Sequence, residues 1–344
     1  MDQITIKAPD DWHLHFRDGV LLPETVSATA RCFKRAIVMP NLIPPVTKRE
    51  QALAYRERIL EAAGPGSDFN PLMTLYLTDE TTPEQIKEAA SKIIPAAKLY
   101  PAGATTNSEG AVGSIEKLFP VFEAMSECGM LLLVHGEVAD DNVDIFDREK
   151  EFIDQHLAPI HVCFPNLKIV FEHITTSEAV DFVLQTGDNT AATVTPQHLM
   201  MNRNDLLSGG IRPHNYCLPV LKRNVHQQRL REAVASGSHK FFLGTDSAPH
   251  TKQAKENPCG CAGCYSAWGA MELYAQIFDE LGAMAKLEGF ASIYGPMFYG
   301  LPVNRETVTL IRDSWTMPDI IELPSGESIV PFYAGQQINW RLEL

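Results

Sequence analysis

KIVFEH, residues 168–173, is a short apolar run that ends in two ionisable side chains. Its apolar residues do not alternate with polar ones, which is typical of a strand buried on both faces in a parallel sheet. LLLVH, residues 131–135, has the same form. Outward from these two stretches, the sequence shows eight β-rich runs in all: Asp11–His15, Arg35–Pro40, Met73–Thr78, Ala96–Tyr100, Met130–His135, Lys168–His173, Asn189–Thr195 and Lys240–Thr245.

Helical patterns separate these runs, and this alternation predicts an α/β fold, a (β/α)8 TIM barrel. The alternative, an open doubly wound sheet, usually carries a G-x-G-x-x-G turn after an early strand, and the sequence has none there. We expect one domain over residues 1–344, with a C-terminal extension from about residue 284 made of a helix and extended pieces. The predicted helices are Lys48–Ala62, Thr82–Ile93, Ser114–Cys128, Ser177–Gln185, Asn224–Ser236 and Ser266–Leu281.

Composition narrows the class of protein. The 344-residue chain has 45% hydrophobic residues and a formal net charge of -14, and without runs of Lys and Arg we expect no nucleic-acid partner. No apolar run approaches the ~18 residues of a membrane span, and the N-terminus lacks the basic head and apolar stretch of a signal peptide. Seven cysteines without a regular framework suit a reducing compartment, so we expect a cytoplasmic protein with no membrane partner.

Polar and ionisable side chains stand at the ends of many of these runs. In a parallel barrel the carboxyl ends of all strands meet at one rim, where active sites are built. Residues far apart in sequence are therefore expected to share one pocket. They are His13 and His15 in the first run, Asn41 after the second, Lys98 in the fourth, His135 in the fifth, His173 in the sixth and Asp246 after the eighth.

The four histidines are the first candidates for metal ligands. Side chains alternate along a strand, so His13 and His15 point the same way and can bind one ion. Taken singly, each histidine is also typical of a strand cap or a loop. His135 and His173 end two consecutive runs at equivalent positions, which favours a shared metal site over four unrelated histidines.

Lys98 and Asp246 complete the predicted centre. Lys98 has apolar neighbours; it is either a surface residue on a strand edge or a buried lysine driven toward its neutral amine. A neutral amine can add CO2, and the resulting anionic carbamate has two oxygens that can bridge two cations. Asp246 could cap a turn, or it could bind metal and accept a proton from water. The set fits two divalent cations sharing a hydroxide, with zinc as the first choice.

Cys259, Cys261 and Cys264 form a second cluster. The spacing includes Cys-X-X-Cys, but no second pair stands at the usual distance. Cys217 would be a fourth ligand only if the fold delivers it. Two interpretations stay open: a structural metal site, or a glycine-rich loop with reduced thiols whose backbone can approach a ligand, which we favour.

Six segments together resemble the shorter, bacterial-type dihydroorotases of the amidohydrolase superfamily. They are HLHFRDG (13–19), KLYP (98–101), ATTN (104–107), VHGE (134–137), EHIT (172–175) and GTDSAPH (244–250). The resemblance covers nearly the whole chain. Phe16 stands where the family has leucine, and Gly103 where it has asparagine; neither is a predicted ligand.

The resemblance implies a binuclear centre with two Zn2+ per subunit. Lys98 is implied to be N6-carboxylysine and to bridge the two ions together with a hydroxide. One metal is then held by His13, His15, Lys98 and Asp246, and the other by Lys98, His135 and His173.

The resemblance also implies the substrate contacts. Arg17, Asn41 and His250 clamp a substrate carboxylate, for which arginine offers a bidentate fork. Leu218 and Ala262 meet the ring through backbone groups. The loop from Pro101 to Ala111 closes over the substrate, with Thr105 and Thr106 donating hydrogen bonds.

The implied reaction is the reversible cyclisation of N-carbamoyl-L-aspartate to L-dihydroorotate in pyrimidine synthesis, with Asp246 carrying the proton to the leaving nitrogen. A homodimer is a family expectation. Hydantoinases and allantoinases share the metal set but have no need of the carboxylate clamp. A one-metal deaminase has no use for Lys98, and a non-catalytic scaffold would be expected to have lost ligands.

Overall fold

The computed structural model describes residues 2–104, 111–258 and 260–343. Its centre is a sheet of eight parallel strands, each paired with the next in chain order. A strand before them, Gln3–Lys7, is β1. The sheet consists of β2 (Asp10–Leu14), β3 (Arg35–Val38), β4 (Asn70–Tyr76), β5 (Ala96–Leu99), β6 (Leu131–Val134), β7 (Ile169–Phe171), β8 (Thr190–Val194) and β9 (Phe241–Leu243).

The sheet closes on itself between β2 and the segment that follows β9. His15 N donates to Ser247 O at 2.9 Å, and Asp246 N donates to His13 O at 2.8 Å. Leu14 and Ser247 form a parallel bridge at the same seam. The predicted (β/α)8 barrel is therefore confirmed, and each of the eight predicted runs contains or overlaps one of its strands.

Helices surround the barrel. Two predicted helices, Ser177–Gln185 and Asn224–Ser236, have the predicted bounds. The predicted Ser114–Cys128 helix begins instead at Phe119, because Pro120 fits only the first turn of a helix. The α-helices are α1 (Leu22–Ala30), α2 (Arg49–Ala63), α3 (Pro83–Ala89), α4 (Phe119–Cys128), α5 (Arg148–Phe152), α6 (Ala158–Cys163), α7 (Ser177–Gln185), α8 (Pro196–Met200), α9 (Arg203–Leu207), α10 (Asn224–Ser236), α11 (Lys252–Lys255), α12 (Ala270–Glu280) and α13 (Tyr294–Tyr299).

The sequence analysis missed several short helices, among them α1. Its sequence LPETVSATA contains two threonines and a valine, whose β-branched side chains lower helix propensity. The buried face of α1, including Leu22 and Val26, packs into the main core, so tertiary contacts stabilise it. None of the helices in the described ranges has the length and the apolar composition of a membrane span.

The segment after residue 284 contains α13 and further strands. β10 (Thr307–Ile311) pairs antiparallel with β1, and β15 (Arg341–Glu343) pairs with β10. Short pairs form between β11 (Trp315–Thr316) and β14 (Gln337–Ile338), and between β12 (Ile321–Glu322) and β13 (Ser328–Ile329). The assignment of the whole chain to one domain stays a prediction.

The inside of the barrel has an apolar lower layer and a polar upper layer. Inward side chains such as Ala96, Leu133 and Val170 pack in one cluster with Trp12 and Phe242. Because strand side chains alternate, the inward residue two positions further along each strand lies one layer higher. There the residues are Lys98, His135 and Glu172, all buried. Tyr299 of α13 packs beneath this apolar layer, with its ring stacked on Trp12 at a centroid distance of 4.3 Å.

We expect Tyr299→Ala to lower the free energy of unfolding by about 3 kcal/mol, because it removes a buried aromatic ring and leaves a cavity under the barrel. Urea unfolding followed by circular dichroism measures this. Tyr299→Phe is the matched control: the Tyr299 hydroxyl is buried and finds no hydrogen-bond partner among the described residues, so its loss should change stability little. Equal losses in the two variants would contradict this packing role.

Candidate metal centre and substrate cleft

The six side chains predicted as metal ligands meet at the carboxyl end of the barrel. Each is buried, and Lys98 has no exposed surface at all. They come from five different strands or strand ends, as a barrel rim requires. They are His13 from β2, His15 after β2, Lys98 from β5, His135 after β6, His173 after β7 and Asp246 after β9.

The first part of the centre consists of His13, His15 and Asp246. The Nε2 atoms of both histidines lie 3.3 Å from Asp246 Oδ1. Two ligand atoms about 2.0–2.1 Å from a tetrahedral zinc ion lie roughly 3.3 Å apart. The three side chains are therefore spaced as the ligands of one ion, and the buried His13 Nε2 makes no hydrogen bond with the described residues.

The second part consists of His135 and His173. His135 Nδ1 and His173 Nε2 lie 3.3 Å apart, again the separation of two ligands on one tetrahedral ion. Burial lowers the pKa of both imidazoles, so both are neutral at pH 7. Neutral imidazole is the form that binds metal.

Lys98 lies within this centre. Its Nζ contacts Glu172 Oε2 and lies 4.9 Å from the centroid of the Tyr100 ring. Burial lowers the pKa of Lys98, although the Glu172 carboxylate acts in the opposite direction. The buried-lysine interpretation of the sequence therefore agrees with the structure, and a surface position is wrong.

Backbone strain is concentrated at this rim. Arg17, His173 and Asp246 have positive φ values of 64°, 42° and 44°. Non-glycine residues seldom adopt this region, and where they do the strain is often functional. Phe171 faces the outer core, as expected for alternation from the inward Val170. The turned backbone of His173 then lets that side chain join the centre together with its neighbour Glu172.

Polar side chains lie against the ring nitrogens of His15 and His135 that face away from these sites. His15 Nδ1 is 2.7 Å from Asn41 Oδ1, so its Nδ1–H donates to the amide and Nε2 is left for an ion. His135 Nε2 lies 3.3 Å from Glu137 Oε2. Asn41, which the sequence analysis assigned to the substrate, thus also orients a histidine.

A narrow cleft with a cavity volume of about 20 Å3 lies beside this centre. Arg17 lies in its wall, where it donates from Nε to Pro249 O at 3.2 Å and from Nη2 to His250 Nε2 at 3.0 Å. Burial, with Arg17 nearby, lowers the pKa of His250 to about 2, so this imidazole is neutral, and its Nε2 also lies 3.1 Å from Ala262 O. Arg17 forms no ion pair with a carboxylate of the described residues. The cleft is also lined by Asn41, Tyr100, Leu218, Ala248, Ala262 and Gly263.

Some predicted residues lie elsewhere or outside the description. Thr105 and Thr106, with most of the predicted loop, lie outside the described residues, as does Cys259. Cys217 and Cys264 are buried, and Cys261 is partly exposed. Within the described part of the chain, the groups spaced to hold a metal lie in the barrel and contain no cysteine.

Sequence reasoning assigned no role to Glu137, Glu172 or Tyr100, which contact the predicted ligands. Glu137 and Glu172 carried a signal: each is an acid within three residues of a strand's apolar run and within two residues of a candidate histidine. A buried acid at such a position needs a partner, and the partner is a site residue.

Comparisons with known proteins agree with this geometry. Residues 9–311 match the amidohydrolase family. A dihydroorotase of Marinomonas sp. (strain MWYL1) is 67% identical over 343 residues, covering 100% of both chains. The crystal structure of a dihydroorotase from Campylobacter jejuni is 36% identical with a TM-score of 0.91, covering 99% of this chain and 98% of that one. The crystal structure of a dihydroorotase from Saccharomyces cerevisiae in complex with 5-fluoroorotic acid is 33% identical with a TM-score of 0.90. This match covers 100% of this chain and 99% of that one.

Proposed function

Since the chain belongs to the amidohydrolase family, and within it to the dihydroorotases, we propose that it interconverts L-dihydroorotate and N-carbamoyl-L-aspartate in pyrimidine biosynthesis. The observation that carries this proposal is the Arg17 guanidinium in the wall of a cleft whose floor is the histidine and aspartate centre. A cyclic amide with a carboxylate substituent fits both features at once. Cytoplasmic location and a homodimer stay predictions.

The donor set fits two divalent ions, and we propose zinc. His13, His15 and Asp246 would hold one, and His135 and His173 the other. When bound, such ions supply Lewis acidity that polarises a carbonyl and acidifies water.

Lys98 is proposed to supply the bridging anion. Two dications held close together repel each other unless an anion lies between them, and a lysine ammonium would add a third positive charge. Burial favours the neutral amine of Lys98, which is the form that adds CO2. The carbamate would offer two anionic oxygens to the ions.

Asp246 is proposed to move the proton. Burial raises the pKa of its carboxyl, but the adjacent His13 and His15 side chains outweigh burial, so the pKa lies well below the ordinary value. Asp246 is therefore ionised, which is the form that can accept a proton. In ring opening it takes the proton of the attacking water and delivers it to the leaving ring nitrogen.

The substrate carboxylate is proposed to bind Arg17, Asn41 and His250. Arg17 carries a planar guanidinium that can donate two parallel hydrogen bonds to a carboxylate, and it lies partly buried in the wall of the cleft. Leu218 and Ala262 line the same cleft and offer backbone groups to the ring, while Thr105 and Thr106 are proposed to close over it. A hydantoinase, which opens a ring without a carboxylate, would have no need of this arginine.

Arg17→Met should cost dihydroorotate far more activity than dihydrouracil, an uncharged cyclic ureide, because only dihydroorotate leaves a carboxylate unpaired in the cleft. Ring opening is followed by ultraviolet absorbance, with and without a chelator, which should abolish the wild-type activity. Arg17→Lys is the matched control that keeps the charge and loses the fork. Equal losses on the two substrates in Arg17→Met would favour the hydantoinase-like alternative.

Asp246→Asn should keep the fold and much of the metal but lose roughly 10²–10⁴-fold in kcat, since a carboxamide can coordinate weakly yet cannot take the proton. Metal content by atomic emission and kcat are measured on the same preparation. Asp279→Asn is the control: it makes the same change of charge in α12, at a residue that does not line the cleft. A metal-loaded Asp246→Asn protein with near-parental kcat would show that another group moves the proton.

Lys98→Ala should lose metal and activity together, and acetate or propionate at high concentration should restore part of both by filling the cavity left behind. Lys240→Ala is the control, because Lys240 is another buried lysine whose Nζ donates to Val183 O and Gly187 O. Lys240→Ala should lose stability and keep the metals. An unmodified Lys98 amine in a metal-loaded crystal structure would overturn the carbamate.

A further inference from the structure

Glu172 is a fully buried carboxylate in the middle of the centre. It follows β7 directly and lies two residues after the inward-facing Val170, so strand alternation directs its side chain into the barrel. An isolated buried carboxylate is costly unless it is paired and hydrogen-bonded. Its two oxygens contact two different candidate ligands, His13 and Lys98.

The first contact is with His13. Glu172 Oε1 lies 2.9 Å from His13 Nδ1, while the other nitrogen of the ring, Nε2, faces Asp246 Oδ1 at 3.3 Å. A neutral imidazole carries its proton on one nitrogen and its lone pair on the other. A carboxylate beside Nδ1 keeps the proton there and leaves the lone pair on Nε2, toward Asp246.

The second contact is with Lys98, whose Nζ touches Glu172 Oε2. A carbamate formed on this amine keeps one hydrogen on the nitrogen. That hydrogen can donate to the same Glu172 oxygen. The added carboxyl group must then point away from Glu172.

We propose that Glu172 is the positioning residue of the centre, fixing the tautomer of His13 and the direction of the Lys98 carboxyl group without binding an ion itself. The inference rests on the metal centre of the proposed function and adds to it a residue that organises both halves. Glu172, His13 and His173 also stand close enough together to share an ion. The 2.9 Å between Glu172 Oε1 and His13 Nδ1 is shorter than the roughly 3.3 Å between two ligands on one zinc, which favours positioning over ligation.

The test measures metal binding directly. Metal-free wild-type and Glu172→Gln proteins are titrated with Co2+, and the visible absorption of bound Co2+ reports the geometry of its ligands. We expect Glu172→Gln to bind Co2+ roughly 10–100-fold more weakly, as for other residues that orient metal ligands, with an altered spectrum. Glu172→Asp is the second variant; it keeps the charge but has a shorter side chain. It should also bind Co2+ more weakly and with an altered spectrum.

Glu149→Gln is the matched control. Glu149 is equally buried and accepts hydrogen bonds from Thr175 and Thr176, but it contacts neither His13 nor Lys98. The Glu149→Gln variant should lose stability and keep the wild-type affinity for Co2+ and the wild-type Co2+ spectrum.

Parental Co2+ affinity and spectrum in both Glu172 variants would overturn the inference, whatever their activity. Loss of binding in Glu149→Gln equal to that in Glu172→Gln would also overturn it, because burial alone would then explain the effect. Wild-type protein that binds Co2+ but opens no dihydroorotate ring would end the proposed function and leave the positioning role of Glu172 standing.

Discussion

Closure of the barrel between β2 and the segment after β9 is the constraint on which the site depends. The hydrogen bond from Asp246 N to His13 O joins two candidate ligands of the same ion through their backbones. Asp11 reinforces the seam: its carboxylate accepts from Thr245 N at 2.9 Å, from Thr245 Oγ1 at 2.6 Å and from His13 N at 3.2 Å. The same bonds that close the sheet therefore set the spacing of His13, His15 and Asp246.

Charge balance explains why so many acids surround four histidines. Burying a carboxylate in an apolar barrel costs several kcal/mol unless a partner compensates. Asp246 Oδ1 lies 3.3 Å from His13 Nε2, and Glu172 contacts Lys98. Glu137 lies between His135 and Lys222, with Lys222 Nζ at 3.7 Å. These contacts hold the candidate ligands close together at the rim of the barrel.

The sequence predicts the barrel and the strand ends well, because both follow from patterns with a fixed period. Lys98 and His135 lie two residues beyond inward apolar positions, so alternation alone directs them into the barrel. His173 does not follow this alternation because its φ is positive, and no pattern of residue types predicts that φ value. β2 is also irregular: its register against β3 shifts between Asp11 and Leu14, and both Trp12 and His13 are buried inside. The roles of Glu172 and Asn41 depend on contacts between residues of different strands, which one sequence does not display.

Stability and chemistry occupy opposite ends of one barrel. The lower layer is closed by Trp12 stacked on Tyr299 of α13, and it contains apolar side chains that bury surface without unsatisfied charges. The upper layer contains strained backbone and concentrated charge, both of which cost folding free energy. Because Trp12 and His13 are adjacent in β2, the apolar lower layer is linked through the backbone to the first candidate metal ligand. The packed lower layer therefore holds in place the segment that carries His13 and His15. The packing free energy of this layer offsets the cost of the strained backbone and the concentrated charge at the rim.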